Sequence, residues 1–226
     1  MRCGVQAPPI SVLTPDSPGY PGDIQWALGA PAPSLALLGN PTLLWARKLA
    51  LFASVRTCPE LILPTFDAAR RLRSAGVATI GGFQSPLERA VLPLLLRGTQ
   101  VVTLCPARGI DGRLSAGPCR TAVAEGRLLV VSPFPLRVRR PSVRLAEARN
   151  RLVAGLGEAI FVVQARPGSR TYGTAELAMR WGKQVYCFDH PQNRELILLG
   201  AQPVTAARLV TMWKKRRKLF EAGRGS

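Results

Sequence analysis

Residues 159–174 read Ala-Ile-Phe-Val-Val-Gln-Ala-Arg-Pro-Gly-Ser-Arg-Thr-Tyr-Gly-Thr. The run Ala159–Val163 has no polar position, which suits a strand covered on both faces, as strands of a parallel sheet are. A turn rich in glycine and hydroxyls follows it, and Thr174 to Trp181 then reads as a helix. Outward from this unit the texture repeats. Further apolar runs are Leu35–Leu38, Leu49–Phe52, Val77–Ile80, Gln100–Leu104, Leu128–Val131 and Gln184–Phe188. Between them, Pro59–Ala75 places Leu61, Ile62, Phe66, Ala69 and Leu72 on one stripe, with Arg70, Arg71 and Arg73 towards water. Ser85-Pro86-Leu87-Glu88 has the serine, proline and glutamate of a capping box, and Ser142 to Leu156 reads as another helix.

Strand–helix alternation repeated five times predicts an α/β fold with a doubly wound, mainly parallel, Rossmann-like sheet. Right-handed crossovers then gather the carboxyl ends of the strands along one edge, where ligands bind. Three parts are expected: a proline-rich arm over 1–34 with at most a short helix near Ile24–Leu28, the α/β domain over 35–204, and a basic C-terminal helix and tail over 205–226.

The 226 residues carry 31 Lys and Arg against 13 Asp and Glu, a net charge of +18. Such an excess draws polyanions, of which nucleic acid is the commonest in a cytosol. Only five of the basic residues are lysines, a skew that a GC-rich coding background also produces. No apolar run is long enough to span a membrane, and the N-terminus lacks a signal peptide's apolar core, so a cytoplasmic protein is expected. Cys3, Cys58, Cys105, Cys119 and Cys187 form no C-x-x-C pair and His190 is the single histidine, so no metal centre and no disulfide framework are expected.

The strand-following turns are where chemistry is sought. They are Ala53-Ser54-Val55-Arg56, Gly81-Gly82-Phe83-Gln84-Ser85, Cys105-Pro106-Ala107-Arg108-Gly109 and Gln164 to Thr174. Backbone N–H groups of such turns, backed by helix N-termini, can cradle phosphate. The last turn is the strongest, with Gly168, Ser169, Thr171, Gly173 and Thr174 just before a helix and Arg166 and Arg170 alongside. There is no G-x-G-x-x-G and no G-K-[ST], so no dinucleotide fingerprint and no P-loop, and no cofactor is expected. Arg149 and Arg151 diverge by roughly 200° on a helix and cannot both face one ligand. One is expected at the sheet edge, the other at the surface or paired with Glu147. Asn150 either caps a neighbouring loop or touches nucleic acid. Phe83 and Tyr172 sit where a base could stack. Cys105 reads as a small buried thiol, and the four tryptophans as packing. Lys214–Lys218 is either a solvated tail or a second phosphate-contacting patch.

At these residues the chain resembles the DNA-processing protein A (DprA/Smf) family. Tyr20-Pro21 and the segment Leu35 to Leu44 are similar to the family's lead-in, and Arg149-Asn150-Arg151-Leu152-Val153-Ala154-Gly155-Leu156 is close to its Arg-Asn-Arg run. Ser54-Val55-Arg56 stands where the family has Gly-Ser-Arg. Gly168-Ser169 through Thr174-Ala175 parallels its Ser-Gly-Ser-x-x-Thr-Ala turn, and Leu199-Gly200-Ala201 its closing Gly-Ala. In the second turn Gln84-Ser85-Pro86 replaces the family's Gly-Ile-Asp.

The resemblance implies non-catalytic binding of single-stranded DNA, in recombination or DNA uptake, with a RecA-type recombinase and a homodimer left open as further partners and no membrane. The residues expected to hold phosphate are Ser54, Arg56, Gly82, Ser85, Arg149, Asn150, Arg151, Gly168, Ser169, Thr171, Thr174 and Lys183. Two alternatives remain. One is a nucleotide-sensing domain. The other is a phosphoribohydrolase of the lonely-guy type, whose Pro-Gly-Gly-x-Gly-Thr-x-x-Glu signature Pro167-Gly168-Ser169, Gly173-Thr174 and Glu176 approach out of register, with Glu176 and Arg149 as the groups that could act on the ribose.

Overall fold

The computed structural model describes residues 9–29, 31–111 and 117–222, the side chains of 23, 25–26 and 217–222 excepted. Cys3, Pro8 and the side chains of Trp26, Arg217 and Lys218 lie outside the described residues.

Among the described residues nine strands form one sheet: β1 (Ser11–Leu13), β2 (Leu35–Leu38), β3 (Leu49–Phe52), β4 (Thr79–Gly81), β5 (Val102–Leu104), β6 (Leu128–Ser132), β7 (Ala159–Val162), β8 (Gln184–Phe188) and β9 (Gln202–Val204). Their spatial order is β1-β2-β6-β5-β4-β3-β7-β8-β9. From β6 to β9 every neighbouring pair is parallel, whereas β1 pairs antiparallel with β2, and β2 with β6. The expected doubly wound, mainly parallel sheet is present. One difference concerns its margin. Residues 11–13 of the arm join the sheet as a strand, because β2 leaves an edge whose N–H and C=O groups need partners. The arm is therefore not wholly irregular.

The helices are α1 (Gly22–Leu28), α2 (Ile62–Ser74), α3 (Pro86–Leu95), α4 (Gly117–Ala124), α5 (Val143–Leu156), α6 (Arg170–Arg180), α7 (Arg194–Leu198) and α8 (Ala206–Ala222). Alternation along each strand sends successive side chains to opposite faces. Leu49, Leu51, Ala159 and Phe161 pack with α2, α3, α4 and α8, while Ala50, Phe52, Ile160 and Val162 pack with α1, α5, α6 and α7. The result is a three-layer helix–sheet–helix stack with two cores. Among the described residues no helix is long and apolar enough to cross a membrane.

Sheet order reverses between β3 and β7: the chain builds outward from β3 through β4, β5 and β6, then returns to lay β7 on the other side of β3. At such a switch point the turns leaving the two strands diverge and open a crevice at the carboxyl edge.

Candidate nucleic-acid interface

The turns leaving β3 and β7 enclose an open cavity of about 650 Å3, lined by residues 54–59 of one turn and by Gln164, Arg166 and 168–171 of the other. Its walls carry Arg56, Arg166 and Arg170 and, among the described residues lining it, no carboxylate. Ser54 Oγ donates to the Gln164 carbonyl at 2.7 Å, and Gln164 Oε1 accepts from the Cys58 amide at 2.7 Å, so each turn is tied to the other across the crevice. Behind them, fully buried Asn193 accepts from the Ala165 amide and donates to the carbonyls of Val163 and Phe188, fixing the β7 turn against β8. Ser54, Arg56, Gly168, Ser169 and Thr171, five of the residues read from sequence, are thus brought together here.

Helix α6 begins at Arg170, not at Thr174. Ser169 is its N-cap, accepting from the Tyr172 amide at 3.2 Å. The first N–H groups of α6, on Arg170 and Thr171, have no intrahelical acceptor and carry the positive end of the helix dipole to the cavity. Tyr172 N–H is spent on the cap. Gly168 has φ +76°, and a Cβ placed on it would meet nothing within 4 Å, so its glycine serves the left-handed turn and leaves open space above it. Thr174 lies one turn inside the helix, nearly buried, and its hydroxyl donates to the Arg170 carbonyl, which removes it from the turn.

A second, smaller cavity of about 250 Å3 adjoins the first and shares Val55, Arg170 and Thr171 with it. Its floor is a polar network built on Glu88 and Arg149. Glu88 is buried and takes three backbone N–H groups, from Ala53 at 2.8 Å, Gln84 at 2.8 Å and Ser85 at 3.2 Å. Ser85, as N-cap of α3, closes the capping box by accepting from the Glu88 amide. Sequence reading had Glu88 only as the capping-box partner; its bond to Ala53, which locks the β3 turn to the β4 turn, has no local signal.

Arg149 is 5% exposed and donates to the Cys105 carbonyl, to Gln84 Oε1 and to Asn150 Oδ1 at 3.1, 3.0 and 2.9 Å. Burial lowers its pKa, an effect Glu88 opposes. Its donors are turned inward to protein acceptors, so it acts as a brace under the turns. Asn150 is engaged by that brace. Gly82 is explained by the same group: a Cβ there would stand 1.5 Å from Arg149 Nη1. Gly82 therefore leaves room for a guanidinium, not for a ligand's phosphate.

Other expectations shift with the tertiary structure. Phe83 has φ +45° and is buried in the core on the α2–α3 face, its ring 3.1 Å from where a Gly81 Cβ would stand, so it offers no stacking face. Tyr172 is half-buried against the opposite core. Arg151 is exposed on a third cavity, between α5 and α6, with Glu147 and Arg180, which shares Arg170 with the two above. Lys183 precedes β8 and donates to the carbonyls of Gly155 and Gly157, which places it at the amino edge, the wrong end of the sheet for the crevice. Arg216 of α8 also meets that edge through Glu158 at 3.3 Å, alongside Arg47. Glu176 falls in the second turn of α6 and pairs with Arg180. Trp45 is half-exposed, in contrast to the packing role read for it, while Trp213 is buried. Cys105 is fully buried and its thiol is pushed up to about 12 by desolvation. Arg170, at the first position of α6, was noted beside the turn but left out of the expected set. It lines both cavities.

The family described as DNA recombination-mediator protein A matches residues 11–213. Among solved structures, DNA processing protein A of Streptococcus pneumoniae is 21% identical, with a TM-score of 0.75 over 90% of this chain and 74% of that one. DNA processing protein A of Helicobacter pylori, solved for its unique single-stranded DNA binding mode, is 21% identical, with a TM-score of 0.74 over 92% of this chain and 96% of that one. A molybdenum cofactor binding protein of Rippkaea orientalis shares the fold at 11% identity and a TM-score of 0.54, over 75% of this chain and 96% of that one. The comparison with curated proteins finds no match.

Proposed function

We propose that this chain, which belongs to the DNA recombination-mediator protein A family, binds single-stranded DNA without catalysis, along the carboxyl edge of its sheet. The observation that carries this reading is the crevice between the β3 and β7 turns, whose walls hold three arginines and the N–H groups that open α6, with Glu60 beside Cys58 at its margin. Phosphates would be held by Arg56, Arg170, the Ser169 and Thr171 hydroxyls and the amides at the start of α6. Such contacts read the backbone and leave sequence unread. With Phe83 buried and Tyr172 half-covered, stacking contributes little, and exposed Val55 offers apolar contact to a base. A role in recombination, with transfer of the strand to a RecA-type recombinase, is the further step in this reading. So is a homodimer.

Glu88, on the floor of the adjoining cavity, is occupied by three backbone donors, and Glu176 faces Arg180 on the helix. Neither is poised for N-glycosidic hydrolysis, which favours binding over a phosphoribohydrolase. A second reading, a nucleotide sensor, draws on the cavity's size, which falls in the range of small-ligand sites. Titration calorimetry with nucleoside monophosphates and with oligonucleotides separates the two. Tight binding of oligonucleotides with weak binding of mononucleotides is expected; the reverse order overturns the proposal.

A further inference from the structure

Cys58 and Glu60 lie on the segment that leaves β3, and His190 on the turn that leaves β8. Both strands flank β7 in the parallel sheet, so the two segments meet at the carboxyl edge. The thiol sulfur, a carboxylate oxygen and an imidazole nitrogen of these residues all lie within 4.8 Å of one another. We infer that this cluster is a site for Zn2+, with Cys58, Glu60 and His190 as three protein ligands and the fourth position open to solvent. The inference is independent of the DNA-binding reading, and it revises the expectation of no metal drawn from a lone histidine and scattered cysteines.

The donor set selects the ion. Magnesium and calcium prefer all-oxygen shells, whereas a mixed sulfur, nitrogen and oxygen set suits zinc. Tetrahedral bonds of about 2.0–2.3 Å put ligand atoms roughly 3.3–3.8 Å apart, so the cluster need contract only modestly. Two ligands are held by the backbone around them. The Cys58 amide donates to Gln164 Oε1, and His190 directly precedes the 3-10 turn Pro191–Asn193, which ends in buried Asn193. Glu60 is exposed, and its side chain can swing to close the site.

The proton balance is simple. In the empty site burial, with Glu60 alongside, raises the Cys58 pKa, and His190 Nδ1 accepts from the Gln192 amide at 3.2 Å. Zinc displaces the thiol proton to solvent. It bonds one nitrogen of the neutral His190 imidazole, the ring proton resting on the other, and the solvent-exposed Gln192 amide exchanges its bond for water. One proton leaves per ion bound. Cys58 also lines the cavity that it and Pro59 share with Gly168 and Ser169, so water or a phosphate oxygen from there could complete the shell.

The test uses the full chain, stripped with a chelator and titrated with Co2+ as a spectroscopic substitute. The expected result is one Co2+ per chain, a thiolate-to-cobalt charge-transfer band, and loss of the band on adding Zn2+. Cys58→Ala should abolish the band. His190→Ala and Glu60→Gln should weaken binding by about tenfold or more, with unchanged far-UV circular dichroism showing that the loss of the His190 cap has not unfolded the chain. A Cys3→Ala/Cys119→Ala variant should keep the band. No band in the wild type, a band that survives Cys58→Ala, or one unmoved by both His190→Ala and Glu60→Gln overturns the site.

Discussion

Replacing Gly82 by alanine tests the brace beneath the crevice. The added methyl would lie 1.5 Å from Arg149 Nη1 and 2.0 Å from Cζ, far inside contact distance, so the guanidinium must leave its place. Leaving breaks its bonds to the Cys105 carbonyl and Gln84 Oε1. A hydrogen bond to a charged group contributes about 1.5–3 kcal/mol, and water restores part of that to an ejected side chain. Disrupting a buried charged network of this kind costs about 3–5 kcal/mol, which a domain of ordinary stability survives. Urea unfolding at unchanged m-value reads the cost directly. The decisive comparison is Gly82→Ala in an Arg149→Ala background. With the guanidinium gone the methyl has room, and Gly82→Ala should cost less than about 1 kcal/mol there, leaving a coupling energy of about 2–4 kcal/mol. Equal costs in the two backgrounds would refute the reasoning, because Gly82 would then be needed for something other than Arg149. Oligonucleotide affinity on the same preparations should fall in parallel, since Arg149 supports the cavity that Arg170 and Thr171 line.

Binding of single strands should weaken with salt, each neutralised phosphate contributing about −0.7 to the slope of log K against log salt; a flat response, or a preference for duplex, argues against phosphate contacts. Arg56→Ala and Arg170→Ala should each lower affinity and reduce that slope, whereas Lys183→Ala, at the opposite edge, should leave both unchanged in fluorescence anisotropy. Gly168→Val should lower affinity by about tenfold, with a stability loss of about 1–2 kcal/mol from its positive φ; reduced stability with unchanged affinity makes the turn structural only. Removing residues 217–226, with three of the basic side chains, should leave the fold intact and weaken binding only mildly; complete loss would move the site to the tail. Stability should fall as pH rises above 9, because the Cys105 and Cys187 thiols, raised to about 12, keep protons that unfolded thiols release. Lys48, lowered to about 8 by burial, works the other way, since its unfolded form holds the proton longer. Urea midpoints across this range should therefore fall in the wild type and fall less in a Cys105→Ala/Cys187→Ala variant.

Local features of the chain were legible without coordinates because their causes are local. Apolar runs of four or five residues marked β2, β3, β6, β7 and β8, the capping box at Ser85 marked α3, and their alternation dictated a doubly wound sheet whose strand ends line up. That was enough to locate the crevice, because topology alone puts it at the carboxyl edge. Short elements without a clean period escaped notice: β1, β9 and α4, together with the first turn of α6, which Ser169 caps earlier than the hydroxyl-rich sequence suggested. The roles of individual side chains depend on what the fold brings against them, and no spacing encodes that. Arg149 reads as a phosphate ligand until Glu88, Gln84 and the Cys105 carbonyl surround it, and Gly82 reads as a phosphate cradle until the guanidinium fills its space. Lys183 and Arg56 look equivalent in sequence, yet the direction of the strands puts them at opposite ends of the sheet. Cys58, Glu60 and His190 come from turns on two strands that never touch, and only the insertion of β7 between β3 and β8 brings their ligand atoms within reach. Sequence periodicity records which face of an element is buried; contacts between distant segments are set by topology and close packing, and those decide which charges point to a ligand and which are consumed in holding the fold together.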